Sequence, residues 1–220
     1  MADEDDATTV SADEGEARAA RQGSDWDERY ASAGRVWSGE PNGALVAEVA
    51  GLTPGRVLDV GCGEGADALW LAERGWAVTA LDVSRVALDR ARAEAATRGA
   101  EVQWLLSGLV EAGLPAGGFD LVSAQYPALY RTPDAVAEHA LLAAVAPGGV
   151  LLVVHHPAPT IGEAESHGFH PDDYVSPADV RALLGDDWMI EADEVRERHI
   201  SGGAGSHHTH DVVLRARRAG

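Results

Sequence analysis

An α/β fold, doubly wound around a mostly parallel sheet of seven strands, is predicted by three observations. Apolar runs of strand length alternate with helical stretches from residue 56 to residue 154. The first run, Arg56 to Val60, passes directly into glycines at alternate positions, Gly61, Gly63 and Gly65, and then into a helical stretch. Two longer runs, Trp188 to His199 and His210 to Arg217, are joined by Ser201-Gly202-Gly203-Ala204-Gly205 and have the form of a closing hairpin.

The elements follow in order. Residues 1–24 are acidic and poor in large apolar side chains, with no basic start and no long apolar run, so they are expected to be a disordered tail rather than a signal peptide or membrane anchor. A single domain is expected over 25–218. Trp26 and Tyr30 lie four apart on a short helical turn, before a glycine-rich stretch holding Trp37. A helix beginning at Pro41-Asn42 ends at Gly51, and Thr53-Pro54-Gly55 turns into the first strand. The helix after the glycines, Ala66 to Arg74, stops at Gly75, and Val78 to Leu81 is the second strand, closed by Asp82. Ser84 caps a helix to Arg98 that Gly99 terminates. Val102 to Leu106 is a third strand and Phe119 to Gln125 a fourth. Thr132-Pro133 supplies a cap and a first-turn proline for a helix reaching Ala146. Pro147-Gly148-Gly149 then turns into a fifth strand, Val150 to Val154, and Ser176-Pro177-Ala178-Asp179 opens a helix with capping-box spacing.

Composition narrows the function. The chain has 220 residues, 17 Lys plus Arg against 36 Asp plus Glu, and a net charge of −19, so it would repel a phosphate backbone, and no nucleic-acid partner is expected. Cys62 is the only cysteine, which excludes an internal disulfide and fits a reducing, cytoplasmic location. No membrane partner is expected, and monomer and homodimer stay open.

Glycines at a strand-to-helix turn permit positive φ and let a ligand lie against bare main chain. Gly61-x-Gly63-x-x-Ala66 also satisfies the dinucleotide pattern, and a nicotinamide-dependent oxidoreductase is one reading. Charge favours another. Asp59, Glu64 and Asp67 bracket the bend, where they would repel a pyrophosphate and suit a ligand carrying sulfonium and ammonium charge. Asp82, about twenty residues beyond the first glycine, is placed to accept both hydroxyls of a ribose.

With Asp59-x-Gly61-x-Gly63-x-Gly65, Asp82, the fourth strand and the Pro147-Gly148-Gly149 turn in this order, the chain resembles the class I S-adenosylmethionine-dependent methyltransferases over residues 25–218. Within them, the small size and Trp26-Asp27-Glu28-Arg29-Tyr30 are similar to the small-molecule branch of tellurite-resistance and thiopurine-type enzymes. The resemblance implies a seven-stranded sheet whose last strand is inserted antiparallel, an N-terminal lid over cofactor and substrate (25–50), and a substrate-covering region at 155–185. It implies methyl transfer from S-adenosylmethionine, yielding S-adenosylhomocysteine, to an O, N or S atom of a small molecule. A protein that binds the adenosyl cofactor without catalysis is the remaining alternative, kept because Leu105-Leu106-Ser107-Gly108-Leu109 lacks the acidic residue many relatives place after the third strand.

The candidate cofactor-binding residues are Trp37, Asp59, Gly61, Cys62, Gly63, Asp82, Val83, Gly108, Leu109 and Gln125. Trp37 would stand beside the sulfonium by cation–π attraction, and Leu109 would pack on adenine. His155, His156 and Tyr126, at the ends of the fifth and fourth strands, are the candidate catalytic residues, since a base is needed where the attacking group carries a proton. His167 with His170, and His207, His208 and His210, have no further donor that the sequence identifies, so no metal site is assigned.

Overall fold

The structure is a computed structural model that describes residues 12–157, 173–198, 202–203 and 207–220, with side chains described from residue 21 onward. Its elements are α1 (Ala12–Ala31), α2 (Gly43–Val49), β1 (Arg56–Val60), α3 (Ala66–Ala72), β2 (Ala77–Asp82), α4 (Arg85–Arg98), β3 (Val102–Leu106), β4 (Phe119–Gln125), α5 (Val136–Ala144), β5 (Val145–His155), α6 (Pro177–Ala182), β6 (Trp188–Glu197) and β7 (His210–Arg218).

The expected α/β sheet is present. Seven strands run in the order β3-β2-β1-β4-β5-β7-β6, with β1 to β5 parallel and β7 antiparallel to both β5 and β6. Each central strand is apolar on both sides because both faces are covered. Val57, Val78, Ala80, Leu121, Leu152 and Val213 pack under Leu45 and Val49 of α2 and Ala68 and Leu71 of α3. On the opposite face, Leu58, Val60, Val122, Leu151, Val153 and Leu214 pack under Leu141 of α5 and Val180 of α6. Leu151 is fully buried in this layer, and Leu151→Ala is expected to cost about 2–5 kcal/mol in a urea unfolding titration.

Local chemistry sets the helix ends. The Ser84 hydroxyl accepts the Ala87 N–H, and Gly99 closes α4 at φ 66°. Ser176 and Asp179 form the full capping box of α6. Two boundaries differ from expectation. Helix α5 begins three residues beyond Pro133, because the Thr132 carbonyl and hydroxyl accept the N–H groups of Ala135 and Val136 and form a turn before the helix. It ends at Ala144, because Val145 pairs with Phe119 and joins β5, and the Pro147-Gly148-Gly149 turn becomes a register shift inside that strand.

The N-terminal region also differs. The boundary expected between a disordered tail and the domain at 24/25 lies inside the continuous helix α1, while residues 1–11 lie outside the described residues. Residues 12–31 are rich in Ala, Glu and Arg, which favour helix, and the far half of α1 is tied to the sheet. Gln22 Nε2 donates to the Ala128 carbonyl (2.5 Å), and Asp27 Oδ1 accepts from the Ser84 hydroxyl (2.5 Å) and the Val86 N–H (3.0 Å). Helix α1 therefore crosses the carboxyl ends of β2 and β4. Among the described residues, no helix is long and apolar enough to cross a membrane.

Candidate active site

The strand order reverses between β1 and β4, which opens a crevice at their carboxyl ends. Asp59 is paired with Ser123 and Ala80, so Asp59, Ser123, Gln125 and Asp82 fall on one face of the sheet at that crevice. All four are buried.

The bend itself is built from main-chain bonds. Gly61 and Cys62 donate to the Leu81 carbonyl (2.9 and 3.0 Å), Gly63 donates to Asp82 Oδ2 (2.8 Å), and Gly65 donates to the Cys62 carbonyl (2.9 Å). Gly61, Gly63 and Gly65 have φ of 70°, 53° and 84°, the left-handed region in which a side chain is strained. A Cβ at Gly63 would also stand 2.8 Å from the Tyr30 hydroxyl and 3.3 Å from Trp37 Nε1. Trp37 Nε1 donates to the Tyr30 hydroxyl (2.8 Å), so the N-terminal aromatic pair lies directly over the glycines.

Asp82 accepts the Ser84 N–H through Oδ1 (2.8 Å) and the Gly63 N–H through Oδ2; burial raises its pKa and these bonds oppose the rise. Asp59 is raised well above the ordinary carboxylate range by burial first and then by Asp67 and Asp82, and its Oδ2 has no hydrogen-bond partner among the described residues. Burial likewise pushes the Cys62 thiol up, which keeps it protonated. The other two acids thought to face a ligand are used by the protein. Glu64 accepts the N–H groups of Val36 and Trp37 (3.1 Å each) and pairs with Arg90 (2.9 Å). Asp67 accepts from the main-chain and side-chain nitrogens of Asn42 (2.7 Å each). Arg90 also donates to the carbonyls of Tyr30 and Ala33 (2.8 and 2.7 Å), a clasp on the N-terminal segment that the sequence reading missed. Asp27 was missed too, because nothing in its spacing signals that it will reach Ser84 and Val86 at the start of α4, 57 and 59 positions away.

Around the crevice, the carbonyl of Val83 lies under Gly23 of α1, where an added Cβ would come within 3.0 Å. The Gly108 carbonyl accepts from Ser107 Oγ and the Ala112 N–H, forming a turn after β3. Leu109 is buried in the main core, whereas Leu106 and Val110 beside it are exposed. Gln125 Nε2 donates to Ser123 Oγ (3.0 Å), and its Oε1 has no partner among the described residues.

At the rim, Tyr126 follows β4 at φ 52°, an unusual conformation for a bulky residue. Its hydroxyl donates to Asp211 Oδ1 (2.7 Å) and accepts from Arg198 Nε (3.1 Å), while burial and the Asp211 charge push the phenol up and keep it protonated. His156 stacks on Tyr126 (4.3 Å) and on His208 (3.7 Å). Its pKa is lowered to about 3, by burial first and then by His208 and Arg198. His155 is also lowered by burial and meets Tyr126 edge-on at 6.4 Å. Asp211 and Arg198 reach this group only because β7 is inserted beside β5, which pairs His155 with Val212. Among the described residues no group of three or more metal-ligating side chains converges, and His167 and His170, with the rest of 158–172, lie outside them.

Known proteins carry the same pattern. Residues 57–149 match the family model described as a methyltransferase domain. An uncharacterized methyltransferase of Mycobacterium bovis is 41% identical over 106 residues, 48% of this chain and 52% of that protein, so the chain spans about half the length of the curated relatives it matches. A solved structure described as "Conversion of a Disulfide Bond into a Thioacetal Group during Echinomycin Biosynthesis" is similar at TM-score 0.70 and 28% identity, over 90% of this chain and 92% of that one. The Burkholderia thailandensis 1,6-didemethyltoxoflavin-N1-methyltransferase, with bound 1,6-didemethyltoxoflavin and S-adenosylhomocysteine, has the same fold at TM-score 0.67 and 19% identity, over 97% and 93% of the two chains. The family match covers the glycine bend, Asp82 and Gln125, and the sheet around them superposes nearly end to end on a solved structure; residues 57–149 carry the pattern of a methyltransferase domain.

Proposed function

We propose that this protein is a class I S-adenosylmethionine-dependent methyltransferase of the small-molecule branch, moving the methyl group of S-adenosylmethionine to an O, N or S atom of a small molecule. The observation that carries this reading is the buried Asp82 carboxylate, tied to the bend through the Gly63 N–H at the end of β2. A carboxylate has about four acceptor positions. The Gly63 and Ser84 N–H groups take one on each oxygen and the Val83 N–H also faces the carboxylate, which leaves acceptor capacity for ribose hydroxyls.

The remaining residues fit the rest of the cofactor. Gly61, Cys62 and Gly63 would cradle the methionine end, with Asp59 supplying negative charge to a cation from beneath the bend. Gln125 would border the methyl group through an amide oxygen that has no partner among the described residues. Trp37 would cover the sulfonium, while Val83 and Gly108 would border the adenine with exposed Leu106 and Val110, Leu109 supporting them from the core. The donor supplies an activated methyl group, and the protein aligns the acceptor with it and excludes water. His155, His156 and Tyr126 stand where the acceptor would enter. The net charge of −19 supports an acceptor other than nucleic acid, and the single cysteine suits the cytoplasm. Parallel calorimetric titrations with S-adenosylhomocysteine and NADH test this reading, which fails if NADH binds and the nucleoside does not.

Acidity supplies a second check. Asp59 and Asp82 hold their protons more tightly than free carboxyls, and a bound cation favours their charged forms. Cofactor affinity is therefore expected to rise as pH increases from the ordinary carboxylate range through the raised pKa values, with proton release on binding. Calorimetry in two buffers of different ionisation enthalpy measures that release, and its absence would remove the carboxylates from the binding step.

A further inference from the structure

We propose that His156, oriented by Asp211, is the base that takes a proton from the acceptor, and that the acceptor is consequently a hydroxyl or a thiol. The inference rests on the methyltransferase reading above, and goes beyond it by choosing one histidine, adding Asp211 as its positioning residue and narrowing the acceptor class.

One face of His156 lies on Tyr126 at 4.3 Å and 26°, and the other on His208 at 3.7 Å and 15°. Its Nδ1 is buried and faces Asp211 Oδ1 at 3.8 Å. Both faces and one edge are thus taken, yet the side chain keeps 18% of its surface exposed. Opposite the buried Nδ1 lies the edge that carries Nε2. A carboxylate beside Nδ1 favours the tautomer with the proton there and the lone pair on Nε2.

Asp211 is itself held. Its side chain is 5% exposed, its Oδ1 accepts the Tyr126 hydroxyl proton at 2.7 Å, and Arg198 Nε lies 3.5 Å away. Tyr126 therefore serves twice, fixing the plane of the imidazole with its ring and the position of the carboxylate with its hydroxyl. The strained backbone at Tyr126 is consistent with a side chain retained for its place at a site. At 3.8 Å the Asp211 contact is longer than a hydrogen bond, as is common before a substrate tightens a site.

The groups facing His156 are Tyr126 from β4, His155 from β5, Asp211 from β7, and Arg198, His207 and His208 from the hairpin. The cations and imidazoles among them, with burial, keep His156 neutral, the form that accepts a proton. A weak base suffices for a hydroxyl or thiol, because the methylated acceptor, while still protonated, is a far stronger acid than imidazolium. An amine needs no such base. In the balanced step, the acceptor oxygen or sulfur bonds to the methyl carbon as the carbon–sulfonium bond breaks and its electron pair stays on the donor sulfur. The acceptor's proton passes to Nε2, leaving an imidazolium beside Asp211 that later releases the proton to water.

The full chain loaded with S-adenosylhomocysteine and labelled with 15N-histidine tests the ring directly. His156 is expected as the Nδ1–H tautomer, with that preference lost in Asp211→Asn; an Nε2–H tautomer in the unsubstituted protein overturns the proposal. With radiolabelled S-adenosylmethionine and with thiophenol, phenol and aniline as probes, label is expected on the first two, and His156→Gln is expected to lower kcat by about 100-fold or more while nucleoside affinity is unchanged. Asp211→Asn should lower kcat less, with Asp211→Glu restoring part of it. Transfer to aniline alone, no transfer to any probe by a protein that binds the nucleoside, or unchanged kcat in His156→Gln overturns the proposal and leaves the cofactor reading standing. Failure to bind the nucleoside at all removes the cofactor reading itself.

Discussion

Asp82→Ala is expected to weaken S-adenosylhomocysteine binding by roughly 1–3 kcal/mol, about 5- to 150-fold in Kd, measured by calorimetry. Two losses combine in that figure. The ribose would lose its carboxylate, and the Gly63 and Ser84 N–H groups would lose their acceptors, so the bend would be less well held before any ligand arrives. Asp82→Asn separates the two effects. Its amide oxygen can accept from one N–H, but its NH2 group then faces the other donor, so a substantial loss is expected with the shape of the side chain preserved. If Asp82→Ala binds the nucleoside as tightly as the unsubstituted protein does, the ribose assignment is wrong.

Gly65→Ala is expected to destabilise the ligand-free protein by about 2–5 kcal/mol, read from urea unfolding, through backbone strain together with overpacking. Gly65 stands at φ 84° at the start of α3, and an added Cβ would lie 2.8 Å from the Ala91 Cβ and 2.9 Å from Trp104 Cη2. Ala91 is fully buried in α4 and cannot yield, and Trp104, partly buried, packs against the core, so relief requires displacing its ring. Gly99→Ala is the control. Gly99 has φ 66° and nothing within 4 Å of an added Cβ, so it should carry only the strain of about 1–2 kcal/mol. Equal effects at the two positions would show that contact with α4 and β3 does not limit the bend.

Some parts of the site were legible because their chemistry is local. A strand that runs into Gly61, Gly63 and Gly65 has few backbone solutions, and the structure places all three in the left-handed region expected of them. Ser84 caps α4 and Gly99 ends it, through contacts that span three to five residues. Asp82 lies at the end of β2, where alternation and strand length put it. Charge was less legible. Glu64 and Asp67 have the sequence context of acids facing a ligand, but Glu64 is engaged by Arg90 and the N–H groups of Val36 and Trp37, and Asp67 by Asn42. Carboxylate identity says that charge is present; whether it is already compensated depends on which segments pack against it. Leu109 makes the same point for apolar groups, since it follows β3 as expected but is directed into the core.

By itself the sequence determined the alternation of strands and helices, the glycine bend, the acid ending β2 and the hairpin of the last two strands. These are set by backbone sterics, capping and side-chain periodicity within a few neighbouring residues. Only the tertiary structure decided that α1 crosses the carboxyl ends of β2 and β4, that Tyr30 and Trp37 close over Gly63, and that β7 carries Asp211 to Tyr126 and His156. Those contacts join residues as far as 106 positions apart, and where they form depends on the order of the strands and on packing throughout the chain, which no local pattern records.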